Sequence, residues 1–153
     1  MQDFKKLRVW SLAHELALDV IEALPPRTAR RVPGLRNQAI RAATSVAANI
    51  AEGCGSATRP EFLQCVEIAT ASLNELEGEL ILAHDARVIT DASHKRLQAR
   101  LEMVRRMLIA LMRTLQRHIA EDTQRQKCRR SSPDGDPSEA PIVEPAPTEH
   151  STR

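Results

Sequence analysis

The stretch SVAANIAEGCGSATRPEF, Ser45–Phe62, contains two helical signals separated by a glycine-rich break. It begins as an alanine-rich helix, and Gly53 suits the left-handed residue that closes a helix. Thr58 and Glu61 have the spacing of a capping box, and Pro60 falls in the first turn, where its missing N–H costs nothing. The stretch therefore predicts a tight joint between two helices. It matches no phosphate-loop or dinucleotide fingerprint, and no strand precedes it.

The two helices that meet at this joint each have one apolar face. The upstream helix is predicted over Gly34–Gly53, and alanines dominate its buried side, so another helix can approach closely. That side carries Leu35, Ala39, Ala42, Val46, Asn49, Ile50 and Gly53. The downstream helix has a heptad seam with alternating spacings of four and three, which predicts near-parallel helix packing. Its members are Phe62, Val66, Ala69, Leu73, Leu76, Leu80 and Ala83.

Two further amphipathic helices complete the pattern. The first is predicted over Leu7–Leu24, with a buried face of Trp10, Ala13, Ala17, Val20 and Leu24. The last is predicted from Thr90 to about Ile119, with a seam of Leu97, Leu101, Val104, Leu108, Leu111 and Leu115. Four such helices with short connections predict an all-α, antiparallel up-down four-helix bundle.

The bundle is expected to occupy residues 1–120. Residues 121–153 are expected to form a disordered tail rich in proline and acidic residues, because prolines at 133, 137, 141, 145 and 147 accompany little apolar content. Such a segment cannot bury enough surface to offset its ordering entropy.

Several function classes find no support in the composition. No run of 18 apolar residues could cross a membrane, and the N-terminus lacks a hydrophobic signal segment, so a cytoplasmic protein is expected. Cysteines 54, 65 and 128 have neither disulfide-framework nor zinc spacing. The histidines lack metal-ligand spacing, and no nucleophile–base set is visible. We therefore expect no enzymatic activity, no metal and no cofactor.

The net charge of +2 hides separate basic regions. On the last helix, Lys95, Arg106, Arg113 and Arg117 fall within about 40° of one another, nearly opposite the leucine seam. We call these four residues the α4 stripe. A second basic group lies near the connection between the first two helices and comprises Arg27, Arg30, Arg31 and Arg36. Each group is either a solvated surface or a contact site for RNA or DNA phosphates. Because aromatic stacking residues are scarce, backbone charge would dominate any such binding.

The third helix is acidic on its outer surface. Glu61, Glu75 and Glu79 lie on one side, and Glu67 and Asp85 lie on another. A protein with one acidic and one basic face can pair head to tail with copies of itself and close into a ring. Simple solubility is the competing explanation.

Three segments identify a resemblance: LRVWSLAHELA (Leu7–Ala17), NQAIRAATSVAANIAEGCG (Asn37–Gly55) and EFLQCVEIATASLNELEGELILA (Glu61–Ala83). They resemble the four-helix-bundle family encoded in intervening sequences of 23S ribosomal RNA genes. NIAEG (Asn49–Gly53) is the most specific element. Further matches are Trp10, Gln38, Arg41, Glu61 and Phe62. The chain departs from the family pattern at Ile40, Ala47 and Cys54.

This resemblance implies a small bundle that forms homo-oligomers, often pentameric rings, with no established enzymatic activity. A related branch, the accessory proteins of diversity-generating retroelements, binds a reverse transcriptase and nucleic acid. The alternative function is therefore an accessory subunit of a reverse transcriptase, and an unrecognised enzyme ranks third.

Two polar residues of NIAEG invite structural interpretations. Asn49 lies on the apolar face, where an asparagine often fixes helix register; ligand binding is the alternative. Glu52 lies in the last turn of its helix, where the helix dipole disfavours an anion. We expect it to have a partner, either the N–H groups that open the next helix or an arginine of a neighbouring helix or subunit. A brace at this corner is favoured over catalysis.

Overall fold

The computed structural model describes residues 3–131, and these form four α-helices and two short 3-10 turns without a strand. The helices are α1 (Arg8–Ala23), α2 (Leu35–Gly55), α3 (Arg59–Asp85) and α4 (Asp91–Ser131). The 3-10 turns lie at Phe4–Lys6 and Pro26–Arg30.

The helices follow one another around a common core. In the described residues α1 packs against α2 and α4, α3 packs against the same two helices, and the diagonal pairs do not meet. With short connections this order makes an antiparallel four-helix bundle, as predicted. Both predicted seams are buried, apart from Leu111 and Phe62, which are half-buried. Trp10 also packs against the core while remaining half-buried, so neither Trp10 nor Phe62 is a fully buried core residue.

The joint between α2 and α3 is built differently at Gly53 from what the sequence predicted. α2 continues through Gly53 to Gly55, and among the described residues only Gly34 and Arg87 have a positive φ. Gly53 is therefore an interior helical residue rather than a left-handed helix end. A Cβ at Gly53 would overlap the ring of Phe62 and lie 3.0 Å from the Cβ of Cys65. The absent side chain is what lets α3 approach α2 this closely.

The predicted capping box opens α3. The Glu61 N–H donates to Thr58 Oγ1 at 3.3 Å, and the Thr58 N–H donates to Glu61 Oε2 at 3.1 Å. The Ala57 N–H also donates to Glu61 Oε2 at 3.1 Å. Glu61 thus satisfies backbone donors at the joint, which fixes the direction in which α3 leaves it.

The last helix is longer than predicted. α4 ends at Ser131 instead of near Ile119, so residues 121–131, the first part of the expected disordered tail, are helical. Leu115 is its last buried residue, and most positions beyond it are exposed. Arg59 at the start of α3 forms an ion pair with Asp122 and ties this extension to the bundle. The rest of the predicted tail, residues 132–153, lies outside the described residues.

Candidate nucleic-acid interface

The α4 stripe lies on the solvent side of the bundle. All four of its side chains are exposed, and none has a hydrogen bond or ion pair within the described part of the chain. At 1.5 Å per residue, the stripe runs for about 33 Å along the helix. Its basic groups are all open to solvent, and one acid, Glu102, lies on the same side of the helix between Lys95 and Arg106.

Two other arginines of α4 have structural roles. Arg100 forms ion pairs with Glu15 and Asp19 of α1. Arg105 donates to Asn74 Oδ1 and pairs with Glu77 Oε2 of α3, each at 2.6 Å. These two guanidinium groups are 31% and 21% exposed and tie α4 to its two neighbours. α4 thus carries two kinds of basic residue: two arginines that connect it to the neighbouring helices, and the stripe residues, which face solvent.

The second basic group also contains arginines with and without hydrogen-bond partners in the described residues. Arg36 Nε donates to the carbonyl of Leu24 at 2.8 Å, and Arg31 Nη1 donates to the carbonyl of Arg87 at 2.9 Å. These carbonyls lie just past the ends of α1 and α3, where helices leave acceptors without intrahelical donors. Arg27 and Arg30 are exposed and make no such contact with any described residue.

The Asn49 side chain belongs to a polar contact between α2 and α3. Its Nδ2 donates to the carbonyl of Ser45 at 2.8 Å and to Ser45 Oγ at 3.1 Å. Ser45 Oγ in turn lies 2.9 Å from Ser72 Oγ on α3. The half-buried amide thus orients a serine pair that crosses the helix interface, which accords with the structural interpretation of Asn49.

Glu52 does not have the expected partner within the chain. Its side chain is exposed and has no hydrogen bond or ion pair in the described region. The side chains of Thr58 and Glu61 accept from the N–H groups of Ala57, Thr58 and Glu61 at the start of α3. The expectation of a brace to those donors, or to an arginine of a neighbouring helix in the described residues, is therefore wrong, while an arginine of a neighbouring subunit stays a prediction.

Two further positions of the resemblance lie on the outer surface of α2. Gln38 and Arg41 are exposed. Arg41 Nη2 lies 3.4 Å from Glu75 Oε1, with side chains that are 70% and 46% exposed. A pair this exposed adds little stability. Arg41 therefore remains accessible from solvent.

Four titratable groups lie close together near the start of α4: His84, His94, Asp85 and Asp91. Within residues 3–131, no group of His, Cys, Asp and Glu side chains could hold a metal ion. Cys54 is buried, and this burial raises the pKa of its thiol, which disfavours the nucleophilic thiolate. At the start of α4, the hydrogen bond from His84 lowers the pKa of Asp91; the His84 Nε2 to Asp91 Oδ1 distance is 2.9 Å. No described helix is long and apolar enough to cross a membrane.

The site residues predicted from the sequence did not include the basic residues of α4 beyond residue 120. Arg125 and Arg129 are exposed on α4 beyond the bundle. At 100° per residue, Arg125 lies about 80° around the helix from Arg117, so it widens the positive surface rather than lengthening the stripe. A signal was present, because the segment is rich in the helix-favouring residues Glu, Gln, Arg and Lys, although it lacks an apolar period.

Comparison with known proteins supports a family assignment. The family described as 23S rRNA-intervening sequence protein matches residues 5–110. The fold is similar to a crystal structure of a protein with unknown function from the S23 ribosomal protein family of Bacteroides thetaiotaomicron, with a TM-score of 0.64 and 23% identity. That similarity covers 68% of this chain and 97% of the other. No curated protein matches the sequence.

Proposed function

Because the chain belongs to the 23S rRNA-intervening sequence protein family, we propose that it is a non-enzymatic interaction module that associates with itself and binds nucleic acid through the α4 stripe. The observation that carries the proposal is the contrast within one helix. Arg100 and Arg105 form ion pairs with acids of α1 and α3, whereas no stripe residue forms an ion pair with a described residue, although Lys95 has an acid near it, Asp91 one turn earlier. Intramolecular packing therefore does not account for the stripe.

The shape of the stripe favours backbone contacts. Its charges lie in a line of about 33 Å, which is close to one turn of a nucleic-acid duplex. The surface beside it offers no exposed aromatic ring, since the described aromatic residues Phe4, Trp10 and Phe62 lie half-buried on other helices or turns. Binding should therefore depend on phosphate charge and counterion release more than on sequence.

The outer surface of α3 supports self-association. Ile68, Ala71, Glu75, Gly78 and Leu82 are all exposed and repeat at spacings of three and four, which makes a second heptad line on the side away from the core. Ile68 is 45% exposed and Leu82 is 48% exposed. Ile68 and Leu82 are apolar and Ala71 and Gly78 are small, so the line suits contact with another helix on either side of its charged central residue, Glu75. We propose that copies of the chain meet here in a ring, and the family resemblance implies five copies.

This placement is an alternative to the predicted pairing of acidic and basic faces, which stays a prediction. Glu61 is engaged in the capping box and Glu75 already has Arg41 beside it, so two of the acids on that side of α3 have other partners. Contact through the apolar line leaves the α4 stripe exposed on every copy. A ring then multiplies the number of phosphate contacts, which strengthens binding by avidity.

The test is fluorescence anisotropy with mixed-sequence RNA and DNA at low salt. The variant combines Arg106→Gln, Arg113→Gln and Arg117→Gln, and a control of equal charge change combines Lys5→Gln, Lys6→Gln and Arg8→Gln. We expect the stripe variant to bind at least about tenfold more weakly, because it removes three of the cations that bind phosphate, and the control to bind nearly as the parent does. If the parent does not bind at low salt, the nucleic-acid proposal fails and a protein partner takes its place.

A further inference from the structure

A cavity of about 570 Å³ lies between the Pro26–Arg30 turn and the start of α4. Its walls come from the end of α1, from that turn and from residues 88–96, so three separate parts of the chain converge on it. Its charged lining consists of Arg27, Arg30, Arg31 and Arg96, opposed by Glu22 alone. The cavity is therefore strongly positive.

Its arginines have free donor groups. Arg27, Arg30 and Arg96 have no hydrogen bond or ion pair with any described residue. Arg31 uses Nη1 for the Arg87 carbonyl, and the geometry leaves its other guanidinium N–H groups available. Like charges that share one cavity repel each other, and a bound anion removes that repulsion. A planar guanidinium donates two parallel N–H groups to phosphate, which makes this residue type suited to a phosphate site.

Thr28 adds a hydroxyl to the wall of the cavity. Thr28 lines the cavity and is only 3% exposed. Its backbone N–H and carbonyl are hydrogen-bonded, but its hydroxyl has no partner among the described residues. Because the hydroxyl oxygen is not fully enclosed, it is reachable from the cavity, and a phosphate oxygen there can accept a hydrogen bond from it.

The first turn of α4 adds to the positive potential. Thr90 and Ser93 both line the cavity, and the Ser93 N–H donates to Thr90 Oγ1 at 3.2 Å. The capped N-terminus of a long helix carries a partial positive charge that favours anions. The chain reaches this position through a Schellman turn, in which the Val88 N–H donates to the Ala83 carbonyl at 2.8 Å and Arg87 has φ 54°.

We propose that this cavity binds a phosphate monoester, carried either by a free nucleotide or by the end of a nucleic-acid chain. A terminal phosphate has a higher charge than a backbone phosphodiester and can accept from several guanidinium groups at once. The volume lies in the range of small-ligand sites. None of the α4 stripe residues lines the cavity, so this site does not rest on the proposed function of the stripe.

The probe is inorganic pyrophosphate, titrated calorimetrically into the full chain at low salt. We expect saturable binding that weakens at least about tenfold in the double variant Arg30→Gln and Arg96→Gln. A charge-matched control, Lys6→Gln with Arg8→Gln, should bind as the parent does. Thr28→Val keeps the shape of the side chain and removes the hydroxyl, and it should weaken binding about threefold. Helical circular dichroism melts should show that every variant is folded.

The source of the phosphate is identified with two oligonucleotides of one sequence, bearing a 5′-phosphate or a 5′-hydroxyl. If the parent binds the phosphorylated oligonucleotide more tightly, and this difference is lost in the Arg30/Arg96 double variant, the phosphate belongs to the end of a nucleic-acid chain. Equal binding of the two forms, with pyrophosphate still bound, identifies a free phosphate compound. An absence of saturable pyrophosphate binding to the parent overturns the proposal. The proposal is also overturned if pyrophosphate binding weakens equally in the Arg30/Arg96 double variant and in the Lys6/Arg8 control. The Arg106/Arg113/Arg117 variant should bind pyrophosphate as the parent does. The phosphate cavity and the nucleic-acid contact of the α4 stripe can therefore fail separately.

Discussion

Arg105 and Arg106 are adjacent in the chain and have opposite surroundings. Arg105 pairs with Glu77 and Glu102, whereas Arg106 is exposed without an ion pair in the described structure. A rotation of 100° about the helix accounts for this difference. The sequence predicted which arginines share the solvent face, because that follows from helical geometry. It did not predict the partners of Arg105 and Arg100, because those depend on which helices become neighbours.

Gly53 shows the same limit at the α2–α3 joint. A glycine before a turn resembles a left-handed helix end, but its actual neighbour, the Phe62 ring, comes from the next helix. Gly53→Ala should lower the free energy of unfolding by about 1–3 kcal/mol, because overpacking outweighs the helix-propensity gain of roughly 1 kcal/mol. Urea denaturation measures this change.

A double-mutant cycle provides the control for Gly53. Phe62→Leu replaces the ring that an alanine side chain would overlap, so Gly53→Ala should cost clearly less in that background than in the parent. An equal cost in both backgrounds would show that the ring is not the obstacle.

Glu79 gives a pH-dependent prediction. Burial, and then repulsion from Glu75, raise the pKa of its carboxyl, while Arg41 lowers it less. The folded pKa lies above the unfolded value, so stability from this group is lost as the pH rises through that interval. Glu79→Gln should therefore have a higher urea midpoint than the parent at pH 7. The difference should vanish near pH 4 and below, where the free side chain also becomes protonated, its ordinary pKa being about 4.3.

The comparison residue for Glu79 is Glu67, which is exposed on the same helix. Glu67→Gln should shift the midpoint much less at pH 7. A lower midpoint for Glu79→Gln at neutral pH would contradict the assigned direction.

At the scale of single helices, the heptad seams carried most of the predictive information. They set the buried faces of α3 and α4, because burial of one apolar stripe imposes the helical period on the sequence. The same dependence explains the misplaced end of α4. Beyond Ile119 the apolar period stops, while helix-favouring residues and the Arg59–Asp122 ion pair continue the helix.

Leu76 and Leu108 test the seams directly. Both are fully buried, on α3 and α4 respectively. Replacing either one with alanine should cost about 2–5 kcal/mol through reduced burial and a residual cavity. Leu18→Ala is the matched control, because Leu18 is 53% exposed on α1, outside the proposed contact between copies, and its cost should stay within about 0.5 kcal/mol. Thermal melts of Leu76→Ala and Leu108→Ala within a degree or two of the parent would refute the assignment.

At the scale of the whole molecule, the sequence predicted the bundle but not the cavity on its surface. Four amphipathic helices with short connections have few ways to bury four apolar faces, which is why the fold followed from the sequence. The cavity near Arg27 and Arg96 was not foreseeable, because its walls lie on segments about 70 residues apart that meet only in the folded chain.

Self-association is predicted at this scale. Light scattering coupled to gel filtration should give several times the 17.0 kDa of one chain, because the outer line of α3 offers Ile68 and Leu82 to a second copy. Ile68→Glu or Leu82→Glu should reduce that mass, since each places a charge in an apolar contact. Met103→Glu is the control; Met103 is 39% exposed on α4, away from this line. A monomeric parent at tens of micromolar would remove the ring.

The most direct test of the central claim is the salt dependence of nucleic-acid binding. The logarithm of the association constant is measured against the logarithm of salt concentration for the parent, the Arg106/Arg113/Arg117 variant and the Lys5/Lys6/Arg8 control. If the α4 stripe binds phosphates, the slope should flatten by roughly 0.9 unit for each duplex phosphate that the variant no longer neutralises, and the control should keep the parent slope. Equal slopes for the stripe variant and the parent would contradict the claim and leave the stripe as a solvated surface.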